Sequence, residues 1–369
     1  MSHRIRRIQQ LPIAATPLVA TFGLFGERLE VRTNDPRVVA AAEASFGRFA
    51  EPPDGAPLVV RLVVADGEPG GGPDGDPTPP DGEPGGGPDG DSTPPDPRDL
   101  VHDTAGHLLA IGLGAASRAV VDADRGWATG SVSPAVAGQA GLLRYAFVEA
   151  MALAMLTGGR GYVPIHASCV VRDGVGMILQ APAGTGKSTL AFACARRGWG
   201  LLAEDVVFAR PRDGHGADAP LELWGMPWTQ RLMPDTPRFF PELATSVARL
   251  QANGEHKLEV DLDVHLPGAA TPRAAAGPVV LLARDTGGPT RAEWLDAASS
   301  PAEVEVLWPW QVGWTSSHEA TATRLLAHGL LRLHLNGRPD EAVDALERAL
   351  AAPAGASGTA SQPVASQSR

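Results

Sequence analysis

The stretch Ala181-Pro182-Ala183-Gly184-Thr185-Gly186-Lys187-Ser188 places two glycines, a lysine and a hydroxyl in an order that suits a polyphosphate. Gly184 and Gly186 can take backbone angles closed to residues with a Cβ, so that successive amides turn toward one anion. A helix opening at Lys187 adds unbonded N–H groups and the positive end of its dipole. The predicted nucleotide-contacting residues are therefore Ala183, Gly184, Thr185, Gly186, Lys187, Ser188 and Thr189. Lys187 is suited to the β- and γ-phosphates of ATP, and the Ser188 hydroxyl to Mg²⁺.

A second set of groups follows. Leu201-Leu202-Ala203-Glu204-Asp205 reads as an apolar strand ending in two carboxylates. An acidic residue at a strand end beside a phosphate loop is where Mg²⁺ is held in P-loop NTPases. Two adjacent carboxylates allow two tasks, one on the metal and one as base for an attacking hydroxyl. His166 lies on another strand-like run, Ile165 to Val171. Taken alone, a strand histidine is more often a packed or surface residue than a functional one.

The flanking elements are in the required order. Val175 to Leu179 is apolar and strand-like, entered through a tight Asp173-Gly174 turn. Leu190, Ala191, Ala193, Cys194 and Ala195 follow a helical pattern that closes at Arg196-Arg197-Gly198. The glycine suits a helix C-terminus and the arginines its negative pole. Neither an LSGGQ-like string of transporter ATPases nor an NKxD string of GTPases is present.

The combination of Ile165-His166-Ala167, the 181–188 loop and Leu202-Ala203-Glu204-Asp205 resembles the catalytic domain of HPr kinase/phosphorylase and its relatives. The resemblance covers about fifty residues firmly and reaches more weakly to residue 260. It implies an α/β P-loop kinase domain of the HPr kinase/phosphoenolpyruvate carboxykinase type. The activity implied is transfer of the ATP γ-phosphoryl group to a serine hydroxyl. His166 would lie beside the carboxylates and place the base. The family also suggests the division of labour: Glu204 accepts the hydroxyl proton while Ser188 and Asp205 hold Mg²⁺, with the exchanged roles as the alternative. The family pair is Asp-Asp where this chain has Glu204-Asp205, and the Gly-rich segment used in phosphorolysis is not found. A kinase-only relative is the reading that follows. Its acceptor would be a peptide or small protein, such as an HPr-like protein or a ribosomally made precursor peptide. The family's assemblies add a homo-oligomer to these expectations. Two other functions fit the same residues: a small-molecule hydroxyl kinase, and a nucleotide-dependent regulatory or binding module with little catalysis.

Composition bounds the partners. The chain has 369 residues, 43% of them hydrophobic, and a formal net charge of −11. That balance argues against a nucleic-acid or anionic-membrane surface. Cys169 and Cys194 show no metal or redox spacing, so a reduced cytoplasmic setting is expected. The basic, mildly apolar N-terminus is interrupted by Pro12 and Pro17 and is not expected to be an export signal. No membrane span is expected, because no apolar run of about 18 residues occurs; Leu142 to Leu156 reads as a core helix.

Four segments are predicted. Residues 1–65 form a small α/β unit, with strands at Arg28 to Thr33 and Pro57 to Ala65. Between them a helix is capped by Asp35-Pro36, with Val39, Ala42, Phe46 and Phe49 on one face. Residues 66–98 carry a near-perfect repeat, DGEPGGGPDGDPTPP then DGEPGGGPDGDSTPP, with no apolar residue to bury; they read as a disordered linker. Residues 99–351 form the kinase domain, and 352–369 a disordered tail. Within the kinase domain, Leu100 to Val132 reads as antiparallel strands, Val279 to Arg284 as an interior strand, and His256 to Asp261 as a short strand. Ala320 to Leu335 and Pro339 to Ala351 read as amphipathic helices. Arg231 and Lys257 are candidates for phosphate or acceptor contacts, solvated surface charge being the alternative. Trp308, Trp310 and Trp314 are expected in the core.

Overall fold

A computed structural model of the chain describes residues 14–65, 96–212, 219–251, 255–285, 287–295 and 316–351. The 66–95 repeat, the three tryptophans at 308–314, the 352–369 tail and the first 13 residues lie outside these. The described chain is a mixed α/β protein that divides into two units, the first ending at Tyr162 and the second starting at Val163.

Alternating apolar and polar residues build the first unit around one sheet. Its strands are β1 (Leu18–Leu24), β2 (Glu27–Thr33), β3 (Leu58–Val64), β4 (Leu100–Ala105), β5 (Leu108–Leu113), β6 (Ser117–Asp122) and β7 (Trp127–Val132), in the order β1-β2-β3-β7-β6-β5-β4. Helix α1 (Pro36–Phe46) starts on Asp35, whose carboxylate accepts from the Arg37 amide at 2.8 Å. The helix buries Val38, Ala41, Ala42 and Phe46; Val39 is only half-buried, and Phe49 lies past the helix end.

The expected boundary at residue 98 is corrected here. Strand β3 pairs in parallel with β7, Val60 opposite Ala128 and Val64 opposite Val132. The described residues on either side of the repeat therefore belong to one sheet. Helix α2 (Ala140–Gly159) is also longer than expected. It is long and apolar enough by composition to cross a membrane, but 72% of its apolar window is buried inside the protein, as in a core helix.

The second unit is built on a nine-stranded sheet. Its strands are β8 (Val163–His166), β9 (Ser168–Arg172), β10 (Val175–Gln180), β11 (Gly200–Ala203), β12 (Val206–Pro211), β13 (Leu221–Trp224), β17 (Arg273–Arg284), β18 (Arg291–Leu295) and β19 (Leu330–Leu335). The main order is β11-β9-β10-β17-β13-β12-β8, and β19 joins β17 to β18. A small sheet of β14 (Thr229–Leu232), β16 (His256–Asp261) and β15 (Ala248–Leu250) accompanies it. Successive residues of β10 serve opposite faces. Met177 and Leu179 pack with Leu190 of α3 (Lys187–Arg196) and with Val343 and Leu346 of α5 (Pro339–Ala351). Ile178 packs with Ala322 and Leu325 of α4 (Ser316–Leu326). Arg197, at the end of α3, bonds Asp344 of α5 at 2.8 Å and so ties the two helices together.

The single helix expected over Ala320 to Leu335 is instead α4 followed by β19. The break falls at Gly329, whose φ of +108° is the left-handed region; a Cβ there would meet the Trp294 ring at 2.7 Å. The leucine-rich run satisfies both periods, and position decides. It lies between β17 and β18 with Leu330, Leu331 and Leu333 fully buried.

Candidate phosphate-loop site

Two expected strands are each interrupted, and the interruptions meet. The first breaks at Ala167, between β8 and β9; the second breaks at Glu204-Asp205, between β11 and β12. Strand β8 pairs with β12, and β9 with β11. The Ala167 amide donates to the Asp205 carbonyl at 3.0 Å, and the Ser168 hydroxyl donates to the Glu204 carbonyl. Two peptide groups that leave their ladders are thus satisfied across the gap. The acidic side chains are released to the edge of the sheet where β10 delivers the 181–188 loop.

That loop has the backbone its composition suggested. Gly184 has φ +77° and Gly186 φ +119°, both left-handed. Gly186 is the last residue before α3, and the first-turn amides of that helix have no carbonyl of their own to bond. Lys187 is 8% exposed, and its ammonium donates to the Ala181 carbonyl at 2.6 Å, closing the loop on itself. Ala183 and Gly184 are exposed, and Thr185, Gly186, Ser188 and Thr189 half-buried. The Thr189 side chain makes no hydrogen bond among the described residues.

The hydroxyl and the carboxylates sort into two pairs. The Ser188 hydroxyl donates to Glu204 Oε1 at 3.1 Å, and Arg231 Nη1 stands 3.5 Å from Glu204 Oε2. His166 Nε2 lies 3.2 Å from Asp205 Oδ1. Ser188 is therefore joined to Glu204, and His166 to Asp205. The pairs also differ in solvation. Glu204 is 7% exposed, whereas the Asp205 side chain is 54% exposed. Burial, and then the negative charge of Asp205, push Glu204 from an ordinary 4.5 to about 7, against the pull of Arg231, Lys257 and Ser188. The hydrogen bond from His166 holds Asp205 below the usual carboxylate range, with help from the charges of Lys257 and Arg231.

The raised Glu204 value has a consequence for stability. Below pH 4.5 the group is neutral both folded and unfolded, and no penalty exists. From there to about pH 7 the unfolded chain gives up the proton more readily, so stability falls as pH rises. At about 1.4 kcal/mol per decade of proton concentration, the loss is on the order of 3 kcal/mol above pH 7. Without metal or nucleotide, Glu204→Gln is expected to melt like the wild type at pH 5 and several degrees higher at pH 8. Equal melting temperatures at pH 8 would mean that burial does not hold the proton on Glu204.

Sequence reasoning had named Arg231 and Lys257 only as candidates; the structure sets both charges to act on the carboxylate pair. It missed Ser168, for which no local signal exists. It also missed Arg284, the last residue of β17. The Arg284 Nη2 atom lies 3.5 Å from where a Cβ on Gly186 would stand. A basic residue closing an interior apolar strand was the available signal.

No family model matches the sequence, and no curated protein matches it. Among solved structures the chain is similar to the HPr(Ser) kinase/phosphatase from Coxiella burnetii, at 15% identity, over 51% of this chain and 87% of that one, with a TM-score of 0.26.

Proposed function

We propose that the chain is an ATP- and Mg²⁺-dependent kinase that transfers the γ-phosphoryl group to a serine hydroxyl of a peptide or small protein. The observation that carries this reading is the meeting of three parts at one sheet edge. These are a left-handed phosphate loop, a Ser188–Glu204 pair and a His166–Asp205 pair.

The residues fit the groups they would receive. Turned glycines and the free first-turn amides of α3 suit phosphate oxygens, and Lys187 can exchange its bond to Ala181 for one to a phosphate. Ser188 and Glu204 offer hard oxygen donors for Mg²⁺, which keeps water and substrate oxygens in its shell. Among the described residues no group of three or more His, Cys, Asp or Glu is placed to hold a metal. Bound there, Mg²⁺ would supply charge neutralisation on the phosphates.

The exchanged roles follow from the pairing. Glu204 is buried against Ser188 and serves the metal. Asp205 is solvent-facing, ionised and held by His166, so it can accept the proton of an incoming hydroxyl. The acceptor oxygen bonds to the γ-phosphorus, the bond from that phosphorus to the β–γ bridging oxygen breaks, and its electron pair stays on ADP. The acceptor proton passes to Asp205. Lys187 and the loop amides hold the phosphates in line.

The acceptor class is tested by ADP release with Mg²⁺-ATP against serine-containing peptides, small proteins and free hydroxylated metabolites. Stimulation by peptides or proteins alone is the expected result. Stimulation by metabolites alone would assign a small-molecule kinase, and release stimulated by none would assign a regulatory module.

A further inference from the structure

Arg284 stands apart from the charges already assigned. It is exposed, and among the described residues it makes no hydrogen bond or ion pair. Most neighbouring charges are committed. Asp285, the next residue, accepts from Arg291 at 3.1 Å and from the Gly287 amide at 3.0 Å, and His334 lies 3.6 Å from it. Arg284 is thus not drawn off by the adjacent carboxylate.

Topology brings it to the loop. Strand β17 runs parallel to β10, with Leu281 opposite Gln180. Both strands therefore deliver their following residues to the same edge: β10 gives the 181–186 loop, and β17 ends at Arg284. The guanidinium reaches the left-handed Gly186, where the loop turns its amides.

Strand β10 lies between β9 and β17, so Arg284 reaches the loop from a strand paired directly with β10. Glu204 and Asp205 lie in the link from β11 to β12, two strands that stand on either side of β10 in the sheet order.

We infer that Arg284 forms a binding subsite for the nucleoside diphosphate, contacting the α- and β-phosphate oxygens. The inference rests on reading 181–188 as a nucleotide phosphate loop. A guanidinium presents a planar fork of donors that matches phosphate oxygens in pairs, and it stays charged at all working pH values. When the β–γ bridging bond breaks, its electron pair settles on the diphosphate. Arg284 stabilises that charge where it accumulates.

The test is equilibrium titration of ADP and of AMP into the full chain, as wild type, Arg284→Gln, Arg284→Lys and Lys187→Ala. Melting temperatures of all four report the fold, and the exposure of Arg284 leaves them unchanged in its two variants. Arg284→Gln is expected to weaken ADP by about tenfold or more, the usual worth of a charge-assisted hydrogen bond. It should also shrink the preference for ADP over AMP, with partial recovery in Arg284→Lys. If Lys187→Ala weakens ADP but Arg284→Gln leaves it within about twofold, the subsite is refuted and the phosphate loop stands. If the wild type binds no ADP, both fall.

Discussion

Lys187→Ala is expected to lower phosphoryl transfer by about a thousandfold. Lys187 is the one charged side chain that the loop itself supplies, and it sits at the mouth of α3, 8% exposed. Its ammonium is bonded to the Ala181 carbonyl at 2.6 Å. Binding a triphosphate replaces a neutral acceptor with an anionic one, and the charge on that acceptor changes during transfer. The interaction therefore strengthens on the way to the transition state, which is what raises kcat and not only affinity. The structural cost is small by comparison. Removing the ammonium leaves one carbonyl without its partner at the edge of the loop, worth about 1 kcal/mol. A melting curve near that of the wild type, beside the lost turnover, separates the two effects. Lys187→Arg is not expected to rescue, because the planar fork cannot occupy the pocket of a compact ammonium.

Asp205→Asn is expected to cost between about 10² and 10⁴ in kcat, the usual contribution of a positioned general base, with little change in the KM for nucleotide. Asp205 is more than half exposed and does not touch Ser188, so neither the core nor the phosphate loop depends on it. Its bond to His166 at 3.2 Å aims the carboxylate and keeps it ionised. Because the group sits below the usual carboxylate range, its own titration leaves activity between pH 5 and 8 untouched. An acid limb in that interval does not belong to Asp205. Rate profiles of the wild type and of Glu204→Gln, with kcat and KM resolved separately, distinguish the two carboxylates. An Asp205→Asn enzyme with wild-type kcat would show that the base lies elsewhere.

What was legible in the sequence was local. Glycine and lysine spacing marked the left-handed loop before α3, apolar runs marked β10 and α3, and a terminal acidic pair marked the carboxylates that meet Ser188 and His166. Each depends on residues within one or two turns of chain. What was not legible depends on partners far along the chain. The parallel pairing of β3 with β7 moved the unit boundary to Tyr162, and no composition shift announces it. The run from Leu330 to Leu335 became a strand because two neighbouring strands needed an apolar one between them. The interruptions at Ala167 and Glu204-Asp205 support each other, so neither is visible in its own segment. The same holds for the sorting of Ser188 to Glu204 and His166 to Asp205. Adjacent carboxylates look equivalent in sequence; the sheet buries one and exposes the other.

The central claim is that phosphoryl transfer to a hydroxyl occurs at this edge. Its most direct measurement is label transfer from γ-labelled ATP with Mg²⁺ to serine-containing peptides and small proteins, by wild type, Lys187→Ala and Asp205→Asn. The expected result is label on an acceptor serine with the wild type and background labelling with both variants. Nucleotide binding without label on any acceptor, or undiminished labelling by Lys187→Ala, would contradict it.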